Sequence, residues 1–311
     1  MSGAVHLDRP PLPALTDLAA PFGLDPAEAE PVRAASRHVL RFPTARVLLV
    51  ASPGLGSGPR DEAAVASLLA EAGVPAARVR SGPAAIQGWS VTAWTEVQTA
   101  EPPVAPDAGT LGGLARRLHD ATGSLDPRGL IGCDPVGAAL AQLEEASVVG
   151  ATTEAELGVL QREATRLELV WQAAVDEARR SAAGDADDQV RGGAMVHGDL
   201  HVDNVLVGER GPVLLDLELS GWGPRAYDAA PTVTFTRWFD RPASDLAAFD
   251  SAYGAPLTTG ASEQGLDEVW RLWSACWAVA NRHRSDAAAD EAEVRVATVA
   301  TGEAPRPWRL R

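Results

Sequence analysis

The chain has 311 residues, 46% hydrophobic and 22% charged, which suits one large globular domain or two modest ones with room for a core. A formal charge of −15 removes the basic footprint that nucleic-acid binding requires. All 27 basic residues are arginine, so a Gly-Lys-Ser/Thr phosphate loop is excluded. No apolar run approaches the roughly 20 residues needed to cross a bilayer. The start, MSGAVHLDRPPLPAL, has no basic segment leading into an apolar block, so a cytoplasmic protein without membrane contact is expected. Cys133 and Cys276, far apart in sequence, imply neither a disulfide framework nor a cysteine zinc site.

In chain order, Arg37–Phe42 and Arg46–Ala51 read as two strands around a tight Pro43–Thr44 turn. A glycine-rich loop, Gly54-Leu55-Gly56-Ser57-Gly58, follows and reads as a surface loop. An amphipathic helix is predicted from Arg60 to Ala72, with Val65, Leu68 and Leu69 inward and Gly73 and Pro75 ending it. Val74–Val79 and Trp89–Trp94 are predicted as further strands. Glu101-Pro102-Pro103 breaks the pattern and marks the expected boundary between lobes of residues 1–98 and 99–311.

Beyond it the pattern turns helical. Leu111, Leu114 and Leu118 mark one helix, and Thr153 with Glu156 forms a capping box for a longer one whose stripe runs through Leu160, Leu167 and Trp171 to Ala178. Gly184–Asp188 reads as a loop. A compact β region is predicted over Ala194–Val196, Val205–Val207 and Val213–Leu217, with a hairpin turn at Gly208–Gly211. Trp270, Trp273 and Trp277 recur at helical spacing in the last, helical stretch and read as core. The expected fold class is α+β, with a small strand-rich lobe followed by a larger helical one.

The dense signal is His197-Gly198-Asp199-Leu200-His201-Val202-Asp203-Asn204, followed by Leu215-Asp216-Leu217-Glu218. A carboxylate leaves a strand end, an amide follows five residues later, and a hairpin leads to a second carboxylate. Phosphoryl transfer needs those parts: one carboxylate to accept a hydroxyl proton, and an amide oxygen and a second carboxylate to hold magnesium against the phosphates. Hard oxygen donors suit magnesium, which keeps several waters and needs few protein ligands.

These residues resemble the aminoglycoside phosphotransferase family, the small-molecule relatives of protein kinases. HGDLHVDNVLV and LLDLE resemble its catalytic loop and metal-binding segment, and Gly223 to Asp228 its later Gly-x-x-x-x-Asp segment. The resemblance implies a protein-kinase-like two-lobed fold and ATP-dependent transfer, with GTP also open, to a hydroxyl of a small molecule such as an aminoglycoside, another antibiotic or a metabolite. By the same resemblance Asp199 is the catalytic base, Asn204 and Asp216 the magnesium ligands, and Asp228 a brace for the catalytic loop. Glu62 falls on the N-lobe helix that flanks the nucleotide, and Glu96 and Val97 fall where the hinge contacts adenine.

One departure stands out. Aligning ARVLLVAS puts Leu49 where the family carries a basic residue that contacts phosphate and pairs with the helix glutamate. Strand alternation puts Val47 and Leu49 on one face, read here as the cleft face, with Arg41 and Arg46 the nearby substitutes. Leu49→Arg is then expected to tighten Mg-ATP binding, and Glu62 to lack its partner. Two rival readings remain: a degenerate kinase fold that binds without catalysis, for which Leu49 is the main support, and a binuclear metal hydrolase built on the His197/Asp199/His201/Asp203 run, for which six histidines supply no second cluster.

Overall fold

The computed structural model describes residues 12–34, 37–53, 62–99, 101–181 and 190–309. The expected loops at Gly54–Gly58 and Gly184–Asp188, together with the helix start at Arg60 and Asp61, lie outside the described residues.

The elements in chain order are α1 (Leu15–Ala19), β1 (Glu30–Ala34), β2 (His38–Phe42), β3 (Val47–Pro53), α2 (Glu62–Glu71), β4 (Val79–Ile86), β5 (Trp89–Thr95), α3 (Ala108–Thr122), α4 (Pro135–Val148), α5 (Glu154–Ser181), β6 (Gly193–Val196), β7 (Val205–Gly208), β8 (Gly211–Leu214), β9 (Gly221–Pro224), α6 (Ala230–Trp238), α7 (Ser244–Tyr253), α8 (Leu257–Glu263), α9 (Leu266–Asn281) and α10 (Asp286–Thr301). No helix among the described residues is long and apolar enough to cross a membrane.

The chain divides into two compact units, Asp8–Ala105 with Val205–Glu218, and Pro106–Asn204 with Leu219–Arg311. This differs from the expected split into 1–98 and 99–311. The β7–β8 hairpin belongs with the first unit, because backbone groups tie it there: Ala77 N–H donates to Leu214 O (2.8 Å), Leu214 N–H to Pro75 O (2.8 Å) and Glu209 N–H to Gln98 O (3.1 Å).

In the strand-rich unit one antiparallel sheet runs in the order β1-β2-β3-β5-β4. The expected turn joins β2 to β3, closed by Arg46 N–H on Pro43 O (3.1 Å), with Arg46 at φ +52°. Cross-strand pairs Leu40↔Leu49 and Phe42↔Val47 put those side chains on one face. That face packs with Leu18, Ala19, Ala51, Trp89, Val91 and Ala93 into a dry core. Arg41↔Leu48, Val39↔Val50 and Leu48↔Trp94 share the opposite face. The predicted strand at Val74–Val79 is not formed; β4 begins only at Val79 and carries Gly82-Pro83, tolerated because β4 is an edge strand. β1 and α1 carry no clear periodicity, and the sequence reading passes over both.

The helical unit is built around α9, which packs against α4, α6 and α10, while α3 lies along α7. The crossing of α3 and α7 is close at Gly112, where any Cβ would strike the backbone of Phe249. The capping box of α5 forms in both directions, with Thr153 N–H on Glu156 Oε2 (2.8 Å) and Glu156 N–H on Thr153 Oγ1 (3.2 Å). α4, which the sequence reading missed, starts at Asp134-Pro135, where the Asp134 carboxylate caps Gly137 N–H (2.8 Å). β6 pairs with β9, from Met195↔Trp222 to Val196↔Gly221, and sends the chain into the His197 loop.

Candidate functional site

In the helical unit, the loop after β6 is held by a buried carboxylate. Asp228, fully buried, accepts from His197 N–H and Gly198 N–H, each at 3.0 Å, and lies 3.0 Å from His119 Nε2. Gly198 adopts φ +84°, and a Cβ there would collide with Leu219 O, so the tight reversal requires glycine. His197 is wholly buried, and its Nδ1 accepts from Asp199 N–H (3.3 Å).

Asp199 is 8% exposed and both its carboxylate oxygens have partners. Oδ1 accepts from the indole Nε1–H of Trp270 on α9 (2.8 Å). Oδ2 accepts from Asn204 Nδ2 (3.1 Å) and lies 3.4 Å from His201 Nε2. Asn204 Nδ2 also donates to Asp199 O (2.9 Å), which ties the two ends of the loop together. Burial by itself pushes the Asp199 carboxyl up, but His201 and the Trp270 hydrogen bond outweigh it, and its pKa lies below the ordinary carboxylate value. The carboxylate is thus held ionised and aimed. With Nδ2 engaged on Asp199, Asn204 keeps Oδ1 as its donor atom for a hard cation.

Beside this loop lies a pocket of about 180 Å³, entirely within the helical unit, lined by His201, Val202, Thr232, Phe235, Phe239 and Trp308 among others.

In the strand-rich unit the chemistry gathers around one arginine. Arg37, at the entry to β2, pairs through Nη1 with Glu62 Oε2 (3.0 Å) and lies 3.7 Å from Asp216 Oδ1; its Nη2 makes a close ion pair with Glu218. Glu62 opens α2 and also accepts Leu217 N–H through Oε1 (3.1 Å). Asp216 sits at φ +54°, a left-handed conformation that Asp tolerates better than bulkier residues. Burial would lower the Arg37 pKa, but Glu218, Glu62 and Asp216 more than offset it, so the guanidinium is firmly charged. The Glu62 carboxyl is raised by burial, with Arg37 opposing the shift and Asp216 adding to it.

Three expectations are corrected here. Leu49 does not face a cleft: it is 1% exposed in the dry core between Val47 and Ala51, on the face opposite Arg41 and Leu48. Neither Arg41 nor Arg46 joins the Glu62 cluster; Arg41 Nε donates to Glu96 (2.6 Å). Glu62 does have a basic partner, which is Arg37. Glu96 and Val97 follow β5 directly; Glu96 also donates its N–H to Arg46 O (3.0 Å). The His197–Asp203 run forms no metal cluster, since among the described residues no three His, Cys, Asp or Glu side chains are set to hold an ion. Trp270, read as core, is buried but also bonds Asp199, a role its helical spacing does not signal.

A strand-rich unit with a glutamate-bearing helix and a helical unit with this loop define a protein-kinase-like fold of the small-molecule kinase type. The model of the Phosphotransferase enzyme family matches residues 33–268. This chain belongs to that family. No curated protein sequence matches it significantly. Among solved structures it is similar to the amicoumacin kinase hAmiN in complex with AMP-PNP, Ca2+ and Ami (12% identity, 92% of each chain, TM-score 0.61). It is also similar to a microcompartment-associated aminopropanol kinase (16% identity, 92% of this chain and 94% of that one, TM-score 0.61). A third is the aminoglycoside phosphotransferase APH(3'')-Id of Streptomyces rimosus (18% identity, 82% and 96%, TM-score 0.54).

Proposed function

We propose that this chain is a magnesium- and ATP-dependent O-phosphotransferase acting on a small hydroxylated molecule. The observation that carries the reading is the Asp199 carboxylate, buried, kept ionised and oriented by Trp270 and Asn204. Such a group has no packing purpose, and it suits the task of accepting a hydroxyl proton and aiming the oxygen. Asn204 Oδ1 and the Asp216 carboxylate would hold magnesium, which supplies charge neutralisation at the β- and γ-phosphates. On the nucleotide side the Glu96 carboxylate and N–H are engaged, and the Glu96 carbonyl and Val97 N–H would meet the adenine edge.

Arg37 takes the part that the strand position fails to supply. It is paired to the helix glutamate and adjoins Asp216, so it combines the two properties of a phosphate cation in this fold. The degenerate-kinase reading, whose main support was the lack of such a cation at Leu49, is the weaker one beside Arg37. Asp199→Asn tests the whole reading: the variant is expected to keep the rise in melting temperature given by Mg-ATP while transfer falls about 10²-fold or more. Wild-type turnover in Asp199→Asn would refute it.

A further inference from the structure

A file of rings bounds one side of the pocket beside the catalytic loop. His201, 3.4 Å from the Asp199 carboxylate, marks its inner end. Between ring centroids, Phe235 lies 5.7 Å from His201, Phe239 lies 4.4 Å from Phe235, and Trp308 lies 5.5 Å from Phe239. Phe235 and Phe239 stand one turn apart along and just beyond α6, which carries the file along the helix axis from His201 toward Trp308. Trp308 therefore stands at the outer end, remote from Asp199.

This last ring comes from outside the helices. Residues 302–309 follow α10 without regular structure, and among them Trp308 alone is buried, at 2% exposed. Its indole Nε1–H donates to Thr298 Oγ1 (3.0 Å) and its backbone N–H to Trp238 O (2.6 Å). The segment is fastened on both sides of it. Glu291, 2% exposed on α10, accepts from Arg306 Nη1 (2.8 Å), Arg309 N–H (2.8 Å) and Arg295 Nε (2.9 Å). Arg295 Nη2 in turn donates to Arg309 O (2.8 Å), and its guanidinium backs the Trp308 ring at 5.0 Å from the centroid. Lifting the segment away would leave the buried Glu291–Arg295 pair short of partners, which is costly. The indole is a fixed wall.

A fixed outer wall sets a length. The pocket holds about 180 Å³, and an apolar cavity of about 150 Å³ is enough for benzene. With its reacting hydroxyl at Asp199, an acceptor lying along Phe235 and Phe239 meets Trp308 after about one ring.

We propose that Trp308 is a specificity-determining residue, the wall that limits the acceptor to about one ring's length beyond its reacting hydroxyl. This rests on the phosphotransferase reading above. The limit concerns length and leaves the acceptor's charge open.

The test is a binding measurement on the full chain with two alcohols, 4-fluorobenzyl alcohol and (4'-fluorobiphenyl-4-yl)methanol, followed by fluorine NMR. Wild type is expected to bind the one-ring alcohol at least about tenfold more tightly than the two-ring one, against the order that apolar area alone would give. Trp308→Ala is expected to bind the two-ring alcohol at least about tenfold more tightly than wild type does, with the one-ring alcohol changed by no more than about threefold. Trp308→Phe, a milder change, is expected to fall between them and carries the test if Trp308→Ala fails to fold. Phe235→Ala, at the inner end, is expected to weaken the one-ring alcohol, which places that probe in this pocket. A merely structural Trp308 would weaken both alcohols together in its variants, and that result overturns the proposal. So do equal affinities for the two-ring alcohol in wild type and the Trp308 variants, unchanged one-ring binding in Phe235→Ala, or binding of neither alcohol to any of these proteins. Each of these failures is read without turnover and leaves the phosphotransferase reading to stand or fall on Asp199→Asn.

Discussion

The two halves of the chemistry are held by opposite means. Around Arg37 the strand-rich unit uses charge against charge: one guanidinium and three carboxylates, with Asp216 and Glu218 more than 40% exposed and Arg37 and Glu62 less so. Around Asp199 the helical unit uses short-reach groups in a buried setting: the His201 imidazole, an indole N–H and a carboxamide on Asp199 itself, and backbone N–H groups on Asp228. The difference suits what each half would do under the proposed function. A partly hydrated ion cluster yields to an incoming phosphate and is screened by salt, so it adapts. A buried carboxylate with short-reach donors cannot reorient without leaving a polar group unpaired, so it stays aimed.

Moving the cation to the other face of the sheet is the most severe way to break this contrast. Leu49→Arg is expected to cost about 3–5 kcal/mol, because it places an unpaired guanidinium in the dry core rather than beside phosphate. The midpoint of urea unfolding, with an unchanged slope, measures it. A stable Leu49→Arg protein that binds Mg-ATP more tightly would mean that β3 presents its other face.

Removing the cation where it sits has a smaller effect. Arg37→Gln is expected to weaken Mg-ATP about tenfold, on the order of 1.4 kcal/mol, with a shallower salt dependence than wild type. Titration calorimetry at two ionic strengths reads both, and unchanged affinity would show that Arg37 serves only to hold Glu62 and Glu218.

The smallest effect sharpens the other side. Trp270→Phe keeps an aromatic ring but removes the donor to Asp199 Oδ1. It is expected to lower kcat about fivefold, on the order of 1 kcal/mol for one hydrogen bond, and to leave Mg-ATP affinity unchanged. A loss of nucleotide affinity instead would place Trp270 among the groups that hold the fold rather than those that orient the base.

Local order carried much of this molecule. The run from His197 to Asn204, the hairpin with its Gly208–Gly211 turn, the Thr153/Glu156 cap and the amphipathic stripes of α3 and α5 follow from residue types at fixed short spacings, and such spacings are readable without a fold. What failed to show were matters of facing and of distant company. Strand alternation proves that Val47 and Leu49 share a face but not which face is dry, because the period of two is the same for either choice. The covering residues Leu18, Trp89 and Val91 decided it. Arg37 lies 25 positions from Glu62 and 181 from Glu218, and Trp270 lies 71 from Asp199, separations at which no local pattern records a partner. The sequence alone determined the family and singled out Asp199 and its neighbours as the candidate site, since these depend on residues bonded close along the chain. Only the tertiary structure decided which arginine partners Glu62, what holds Asp199 and what lines the pocket, since each depends on elements brought together by burial of their apolar faces.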